Sequence, residues 1–420
     1  MHPPKGLLEK THARMGPIDT PNQILGRTQT IGCVAVEITQ KCNLDCTLCY
    51  LSEHSQQVSD IPLEEVYRRL DQVLEEFGPG THVQITGGDP TLRKHKELVE
   101  IVRYTRSLGL YPALFTNGIG ATRKLLTALA DAGLADVAFH VDTTQERAGY
   151  DTEVSLHEIR REYLERARGL GLMVIFNTTV HLGNREEVPD LIDFFIQHAE
   201  EIGLVSFNLQ AETGRGVWGS REEAFNHHSL RAPLEEAAGR ELPWDTVRVG
   251  HHGCHSYLPL LVVNGKLHVA LDDERLVAEL LKVAPTISTD RHRSRFAIFW
   301  RYFAIALKTP SLWMPGISYF GRRIRQMLPD VIRARGKVHK LTFFMQNFMD
   351  AGELDQERID ACSFMVMTAD GPVSMCEHNA SRDDYILKPL DVVTADGTVK
   401  RYEPLPLRVE VEPAHESVVA

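Results

Sequence analysis

The sequence has too few cysteines for a disulfide scaffold and no apolar run that could span a membrane. Its 420 residues contain seven unevenly placed cysteines, whereas small secreted domains use cysteine densely. No run of 18 or more apolar residues occurs, which is the minimum for a spanning helix. The opening residues 1–5 lack the apolar stretch of a secretory signal. We therefore expect a cytoplasmic protein from a reducing compartment.

An overall basic charge is also lacking. The net charge is −11, which argues against a general nucleic-acid-binding protein. One stretch is an exception, because residues 291–340 contain twelve Lys or Arg and one acidic residue, Asp330. The same stretch includes twelve residues, 296–307, that are mostly aromatic or aliphatic. Three interpretations of this segment are open: a buried helix with a solvated basic flank, a peripheral element on a membrane surface, or a contact with nucleic acid. The negative net charge of the chain makes the third the weakest.

Apolar residues at 43% supply ample material for a core, and their pattern predicts an α/β fold. Short β-branched runs alternate with amphipathic segments, as parallel βαβ units require. The predicted strands are residues 33–39, 83–86, 112–116, 137–141, 173–180 and 204–209. The predicted helices are residues 63–77, 97–108, 121–132, 156–170, 188–198 and 221–238.

These six units predict a partial (β/α)6 TIM-like barrel over residues 33–245. An irregular lead-in, residues 1–32, precedes it. An α+β extension, residues 246–420, follows it, because the alternation stops after residue 245. In barrels of this kind the functional residues lie on loops at the carboxyl ends of the strands, so we expect the site there.

A cysteine motif follows the first predicted strand. Cys42, Cys46 and Cys49 are separated by three and two residues, and thiolates on such a loop can bind three irons of a cubane cluster. No fourth cysteine is nearby, so one iron is left open to a ligand, as in catalytic metal sites. A structural zinc site is the alternative, with His54 as the nearest fourth ligand.

This spacing, with an apolar residue before the last cysteine, resembles the radical S-adenosylmethionine (SAM) superfamily. Further resemblances follow the later strands: Gly87-Gly88-Asp89-Pro90, Thr116-Asn117-Gly118 and Asp142. Alone, the first two would be turns and Asp142 a helix N-cap; their order along the chain gives them weight. The resemblance implies SAM contacts at Leu48, Gly87, Gly88, Asp89, Pro90, Thr116, Asn117, Asp142, Asn177 and Thr179.

The resemblance implies a [4Fe-4S] cluster with an open iron, which SAM chelates through its amino and carboxylate groups. One electron from a flavodoxin- or ferredoxin-type donor then cleaves SAM to a 5′-deoxyadenosyl radical, which abstracts hydrogen from an unactivated carbon. The protein positions and shields the reacting groups, so no catalytic acid–base pair is expected. The alternative is that the protein is not an enzyme but a degenerate metal-binding scaffold without activity.

The C-terminal region offers three more cysteines, Cys254, Cys362 and Cys376, as candidate ligands of a second [4Fe-4S] cluster. Unligated buried thiols and a zinc site are the alternatives. Cys33 opens the first strand, roughly 20 Å from the cysteine loop at about 3.3 Å per residue, and we expect it to be a buried structural thiol.

Residues 348–379 resemble the C-terminal region of tetraether lipid synthase-like radical SAM proteins, some of them earlier proposed as pterin methylating enzymes. That resemblance implies carbon–carbon bond formation on a lipid chain. Two departures put the substrate in doubt: residues 1–32 hold no cysteine, and Ser374-Met375 precedes Cys376 where the group has Pro-Phe. The alternative is modification or methylation of a small polar substrate, such as a peptide, sugar or pterin.

Overall fold

The structure is a computed structural model that describes residues 6–26, 30–215, 226–283 and 295–405, without the side chains of residues 295–299, 301 and 302. Parts of several predictions lie outside these residues. They are residues 1–5 and 27–29 of the lead-in, residues 221–225 of the last predicted helix, residues 291–294 of the basic segment and residues 406–420 of the extension.

Six parallel strands, each beside its predecessor, form the first part of the sheet. They are β1 (Cys33–Thr39), β2 (His82–Gly87), β3 (Tyr111–Thr116), β4 (Asp136–His140), β5 (Met173–Val180) and β6 (Ile202–Leu209). Every predicted apolar run overlaps one of these strands, with bounds that differ by at most two residues. Parallel neighbours in chain order need crossover connections, and this arrangement confirms the α/β fold class.

The crossover helices bury one face each against the sheet. In the N-terminal part the helices are α1 (Leu7–Met15), α2 (Leu63–Phe77), α3 (His95–Ser107), α4 (Arg123–Asp131), α5 (His157–Ala167), α6 (Val188–Gln197) and α7 (Arg231–Ala238). In α2 the buried residues Val66, Leu70, Val73 and Phe77 recur every three or four positions. Burying side chains of this size contributes about 1.5–3 kcal/mol each, so packing rather than local propensity fixes these helices.

Among the described residues, the C-terminal extension adds five strands to this sheet, and its last two strands form a separate two-stranded sheet. Its strands are β7 (His255–Val263), β8 (Lys266–Val269), β9 (His339–Asn347), β10 (Phe364–Thr368), β11 (Gly371–Ser374), β12 (Leu390–Val393) and β13 (Val399–Tyr402). Strand β9 lies parallel beside β6, and β10 lies parallel beside β1. Eight parallel strands therefore run β10-β1-β2-β3-β4-β5-β6-β9, two more than the six units expected from the sequence.

The two ends of this parallel array approach each other through aromatic side chains. Phe344 of β9 and Phe364 of β10 have ring centroids 5.6 Å apart, and His255 of β7 lies 4.9 Å from Phe364. Strands β9 and β10 are not neighbours in the sheet order. We call this contact the seam. It shows that the sheet curls into a barrel, which is closed by side-chain contacts and not by hydrogen bonds between β9 and β10.

The lead-in contains a helix that the sequence did not predict. In α1, Leu7, Thr11 and Met15 are buried at four-residue intervals. Arg14 of this helix donates to the carbonyl oxygens of Asp360 and Cys362. The helix is nine residues long and depends on these contacts with the far end of the chain, because isolated helices of this length are marginal in water.

A helical insertion separates β8 from β9. It contains α8 (Glu274–Val283), α9 (Arg295–Lys308) and α10 (Trp313–Arg333). After β9 come the short helices α11 (Gln356–Asp360), α12 (Met375–Ala380) and α13 (Arg382–Ile386). Among the described residues, no helix has the length and apolarity that a bilayer span requires.

Candidate functional site

A cavity of about 250 Å³ opens at the carboxyl ends of the parallel strands. All three cysteines of the motif, Cys42, Cys46 and Cys49, line it. Eight of the ten residues expected to contact SAM line it as well: Leu48, Gly87, Gly88, Asp89, Thr116, Asn117, Asn177 and Thr179. The strand topology thus brings together side chains from positions 42 to 179 in one pocket.

The cysteine loop is fixed to two other loops of the barrel. The Thr47 backbone N–H donates to the Thr144 carbonyl at 2.9 Å, which ties the loop to the segment after β4. Gly214, after β6, has φ +61°, and a Cβ there would lie 2.3 Å from the Tyr50 carbonyl carbon. Only glycine allows this close approach. The position of the three thiols is therefore set by the ends of β4 and β6.

Arg215 holds the same loop and was not singled out from the sequence. Its backbone N–H donates to Leu51 at 2.8 Å, and its guanidinium donates to the Leu44 carbonyl at 3.2 Å. Burial lowers the pKa of Arg215, but the nearby Cys49 and Asp45 raise it on balance. The sequence does contain a signal that could have identified Arg215: it lies shortly after the end of β6, and loops at that edge of the sheet converge on the site.

The thiols fit a metal cluster by their chemistry. Burial raises the pKa of Cys42 and of Cys46, and acidic neighbours add to the effect, Asp89 for Cys42 and Asp142 for Cys46. Thiolates in such a setting need a cationic partner, and metal ions supply one. Asn117 also directs its amide nitrogen toward Cys42 Sγ at 3.8 Å. The donor set, three thiols on one wall, fits three corners of a [4Fe-4S] cluster.

The described residues include no group of three or more Cys, His, Asp or Glu side chains that converge on a single metal ion. A tetrahedral zinc ion needs its ligands close around one point. A cubane cluster differs, because each thiolate binds its own iron.

Gly87 and Gly88 are required by packing against the end of β1. A Cβ on Gly87 would lie 1.9 Å from the Thr39 carbonyl oxygen, and one on Gly88 would lie 2.0 Å from the Lys41 carbonyl oxygen. Gly87 also has φ +125°, which favours glycine. The two glycines therefore hold the turn after β2 against the segment that leads into the cysteine loop.

Asp89 connects this turn to the turn after β3. Its carboxylate accepts hydrogen bonds from the Thr116 hydroxyl at 2.8 Å and from the Asn117 backbone N–H at 2.9 Å. It also accepts from the Thr91 backbone N–H and hydroxyl. With four donors on a side chain that is 1% exposed, Asp89 positions both turns. Pro90 is buried and begins the short 3-10 helix that follows.

Asp142 lies behind the cavity wall, and His140 occupies the wall in front of it. Asp142 accepts from the Thr179 backbone N–H at 2.7 Å and caps the 3-10 helix that begins at Thr143. His140 Nε2 lies 2.6 Å from Asp142 Oδ2. Burial lowers the pKa of His140, but Asp142 raises it on balance. The N-cap alternative for Asp142 is thus borne out, and the predicted ribose contact stays a prediction.

A buried ion pair on the opposite wall was not predicted. Glu37 of β1 accepts from Arg382 of α13 at 2.7 Å, and the Arg382 guanidinium lies 4.6 Å from the centre of the Tyr50 ring. Burial would raise the pKa of Glu37, but Arg382 and His378 lower it to about 2. No sequence signal joins residues 37 and 382, since only the parallel addition of β10 beside β1 brings α13 to the site.

The three C-terminal cysteines each contact a different partner. Arg358 Nε donates to Cys254 Sγ at 3.2 Å, the Met349 backbone N–H donates to Cys376 Sγ at 3.5 Å, and Cys362 Sγ contacts the Phe364 carbonyl at 2.9 Å. Burial raises the pKa of Cys254 to about 11 and that of Cys376 to about 12, and Cys362 adds to both shifts.

Cys33 lies near these thiols and not near the cysteine loop. It is buried at the start of β1, and burial followed by the charge of Cys362 raises its pKa. Its register partner across the sheet is Phe364. The expectation that Cys33 is a buried thiol remote from the cysteine loop agrees with this placement.

Residues 36–195 match the Radical SAM superfamily. The matched stretch begins in β1, ends in α6 and contains all three cysteines of the loop. This is the part of the chain in which the cysteine spacing predicts radical SAM chemistry.

Several named proteins resemble it. The chain is 34% identical over 175 residues to the PqqA peptide cyclase of Methylobacterium nodulans, which covers 40% of this chain and 43% of the relative. It is 27% identical over 186 residues to the 7,8-dihydro-6-hydroxymethylpterin dimethyltransferase of Methanocaldococcus jannaschii, 43% of this chain and 36% of that protein. SuiB of Streptococcus suis with bound S-adenosylmethionine aligns at TM-score 0.39 and 18% identity, over 53% of this chain and 50% of that chain.

The family match supports the superfamily resemblance over residues 36–195, whereas the narrower resemblance to the tetraether lipid synthase-like group finds no support. The two relatives are named for a peptide and a pterin, and neither is named a lipid synthase. The chain spans less than half the length of each.

Proposed function

We propose that this protein is a radical SAM enzyme that abstracts a hydrogen atom from a carbon of a small polar substrate. The observation that carries the proposal is the shared cavity, where three cysteines face the glycine turn after β2 and the Asn117 turn after β3. Cys42, Cys46 and Cys49 would hold the cluster. With SAM bound, such a cluster would supply one-electron reductive chemistry at the sulfonium, and a flavodoxin- or ferredoxin-type protein is the proposed donor.

The chain's own residues orient and enclose the reactants. Asp89 fixes the two turns that face the thiols, and Arg215 holds the cysteine loop. The His140–Asp142 pair places an imidazole on the wall. These groups are arranged to position SAM and exclude water, which is the part that a protein supplies in cofactor chemistry.

The walls away from the cysteines support a polar substrate. These walls include the Glu37–Arg382 pair and the amide side chains of Gln84, Asn208, Gln346 and Asn379. A few polar groups on an otherwise apolar wall give a pocket its specificity. The names of the relatives, a peptide cyclase and a pterin dimethyltransferase, point the same way.

A lipid chain is the second candidate substrate. It is supported by the apolar part of the cavity wall, which includes Phe115, Phe348, Phe364 and Met375, and by exposed apolar residues on α10. The two candidates are separated by measuring 5′-deoxyadenosine formed with phospholipid vesicles and with a soluble peptide mixture. Stimulation by the vesicles alone would favour the lipid.

Replacing Cys46 tests the cluster assignment. Cys46→Ala in anaerobically reconstituted protein should abolish the conversion of SAM to 5′-deoxyadenosine, measured by liquid chromatography with dithionite as reductant, because one iron loses its protein ligand. Cys376→Ala is the matched control and should keep that activity. SAM cleavage by Cys46→Ala would contradict the proposal.

We also propose that Cys254, Cys362 and Cys376 bind a second [4Fe-4S] cluster at the seam. The support is that Cys362 adds to the raised pKa of both Cys254 and Cys376, and that the cationic Arg358 donates to Cys254 Sγ at 3.2 Å. Cys376→Ala should lower the iron content by up to four atoms per chain, measured by colorimetric iron assay. Iron content equal to that of the wild type would mean that these are unligated buried thiols.

A further inference from the structure

Helix α10 presents three distinct faces. The inner face packs on the barrel and consists of the buried residues Gly316, Tyr319, Arg323, Met327 and Asp330. These positions recur every three or four residues, as one side of an α-helix requires. The helix is 21 residues long, which corresponds to about 30 Å.

A second face of α10 is apolar and exposed to solvent. Its members are 48% to 82% exposed and are also spaced by three or four residues, so they form one continuous stripe: Met314, Ile317, Phe320, Ile324, Leu328 and Ile332. We call these six residues the α10 stripe. Exposed apolar residues are common singly, but a row of six along one helix marks an interaction surface.

The third face and the neighbouring chain are basic. Arg325 and Arg333 of α10 are exposed, as are Arg335 and Lys337 just beyond it. Residues 291–340 carry twelve basic residues and one acidic residue, a net +11, whereas the whole chain is −11 and the rest is therefore −22. The α10 stripe thus lies in the one strongly positive part of an acidic molecule.

Contacts on the inner face fix the orientation of the helix. Asp272 forms ion pairs with Arg322 and Arg323, the first at 2.8 Å. Near the C-terminal end, Asp330 accepts from Lys266 at 3.2 Å. One turn before Arg322, the Tyr319 hydroxyl donates to the Ala270 carbonyl. Because these contacts hold the helix from its first half to its last turn, rolling it to bury the stripe would break them.

We propose that the α10 stripe docks on the surface of a lipid bilayer that contains anionic lipids. A helix with a long apolar face, a basic face and no capacity to span lies in the plane of such an interface. Basic residues beside the apolar row gain from the negative surface potential of anionic lipids, whereas the acidic remainder of the molecule is repelled. This surface goes beyond the proposed reaction and holds for either substrate class.

Flotation with vesicles tests the proposal on the full chain. The wild type should float with vesicles of phosphatidylcholine and phosphatidylglycerol at 1:1 and remain unbound with pure phosphatidylcholine. The double variant Ile317→Glu/Ile324→Glu should lose at least about tenfold in apparent affinity, because each glutamate puts a charge at a position that would be immersed. The replaced side chains are 73% and 59% exposed, so folding should be retained.

The matched control is Ser318→Glu/Gln326→Glu. It adds the same two charges to exposed positions of the same helix outside the stripe, and its loss of binding should be clearly smaller than that of Ile317→Glu/Ile324→Glu, because its charges are not immersed. Equal losses in both double variants would overturn the stripe as the docking surface, because they would leave only a general charge effect. Absence of wild-type flotation would overturn the proposal outright.

A second copy of this chain is the competing occupant. Sedimentation velocity should show a wild-type monomer. A wild-type dimer that Ile317→Glu/Ile324→Glu converts to monomer would overturn the bilayer proposal in favour of a subunit interface.

One measurement does not depend on a variant of the stripe. Trp313 begins α10 and is 49% exposed. Brominated anionic vesicles should quench wild-type tryptophan fluorescence, and the quenched fraction should fall in Trp313→Phe. Identical quenching in the two proteins would place the bilayer contact elsewhere and contradict the proposal.

Discussion

At the scale of single residues, the site depends on close backbone approaches as much as on the cysteines. Gly87 and Gly88 were expected to leave space for SAM, and the structure shows that they also pack against Thr39 and Lys41. Asp89 was expected to contact SAM, and its carboxylate is engaged by four donors within the protein. The sequence predicts which residues matter here, while contacts between distant loops decide what each one does.

Gly88→Ala should destabilise the protein by about 1–3 kcal/mol, as overpacking of a tight site does. The added methyl would meet a backbone oxygen, Lys41, at 2.0 Å, and no side-chain rotation can relieve that clash. Chemical denaturation followed by circular dichroism measures the change. Gly352→Ala is the control, since a Cβ there meets nothing within 4 Å, and it should stay within about 0.5 kcal/mol of the wild type. Equal stability of the two variants would contradict the packing account.

At the scale of elements, local pattern predicts the first half of the chain closely. The bounds of β1, β5 and α2 agree with the sequence prediction to the residue, because buried β-branched runs and a strong apolar periodicity mark them. Prediction fails for α1, which is short and depends on contacts with residues 360 and 362. The local pattern also does not predict the ion pair between Glu37 of β1 and Arg382 of α13, because these residues are 345 positions apart in the sequence.

That pair predicts a pH dependence of stability. The pKa of Glu37 is about 2 in the folded protein, against an ordinary 4.5, so its stabilising contribution is complete above pH 4.5 and is lost as the pH falls toward 2. The full loss is about 3 kcal/mol at 1.36 kcal/mol per unit. The unfolding free energy of the wild type should therefore fall more steeply over this window than that of Glu37→Gln.

The control for this series is Glu236→Gln, at an exposed position on α7. Its pH profile should run parallel to that of the wild type. If Glu37→Gln also ran parallel, the Glu37 carboxylate would not be held ionised by Arg382.

At the scale of the whole molecule, the barrel is completed by strands that lie more than 120 positions after β6. Alternating strands and helices predict six units, and no periodicity indicates that β9 and β10 add to the two ends of the sheet. Such pairings are fixed by long-range packing, here at the seam of Phe344 and Phe364. The same arrangement explains why residues after 345 line the cavity and why Cys376 directly follows a residue of the cavity wall, Met375.

The central claim is that Cys42, Cys46 and Cys49 hold a cluster with one iron open to SAM. Mössbauer spectroscopy of anaerobically reconstituted protein, with total iron measured in parallel, tests it most directly. The account predicts that SAM changes the spectrum of one iron in the wild type, and that the Cys42/Cys46/Cys49 triple alanine variant loses about four iron atoms and that response. A spectrum that SAM leaves unchanged, or a triple variant with full iron content, would contradict the claim.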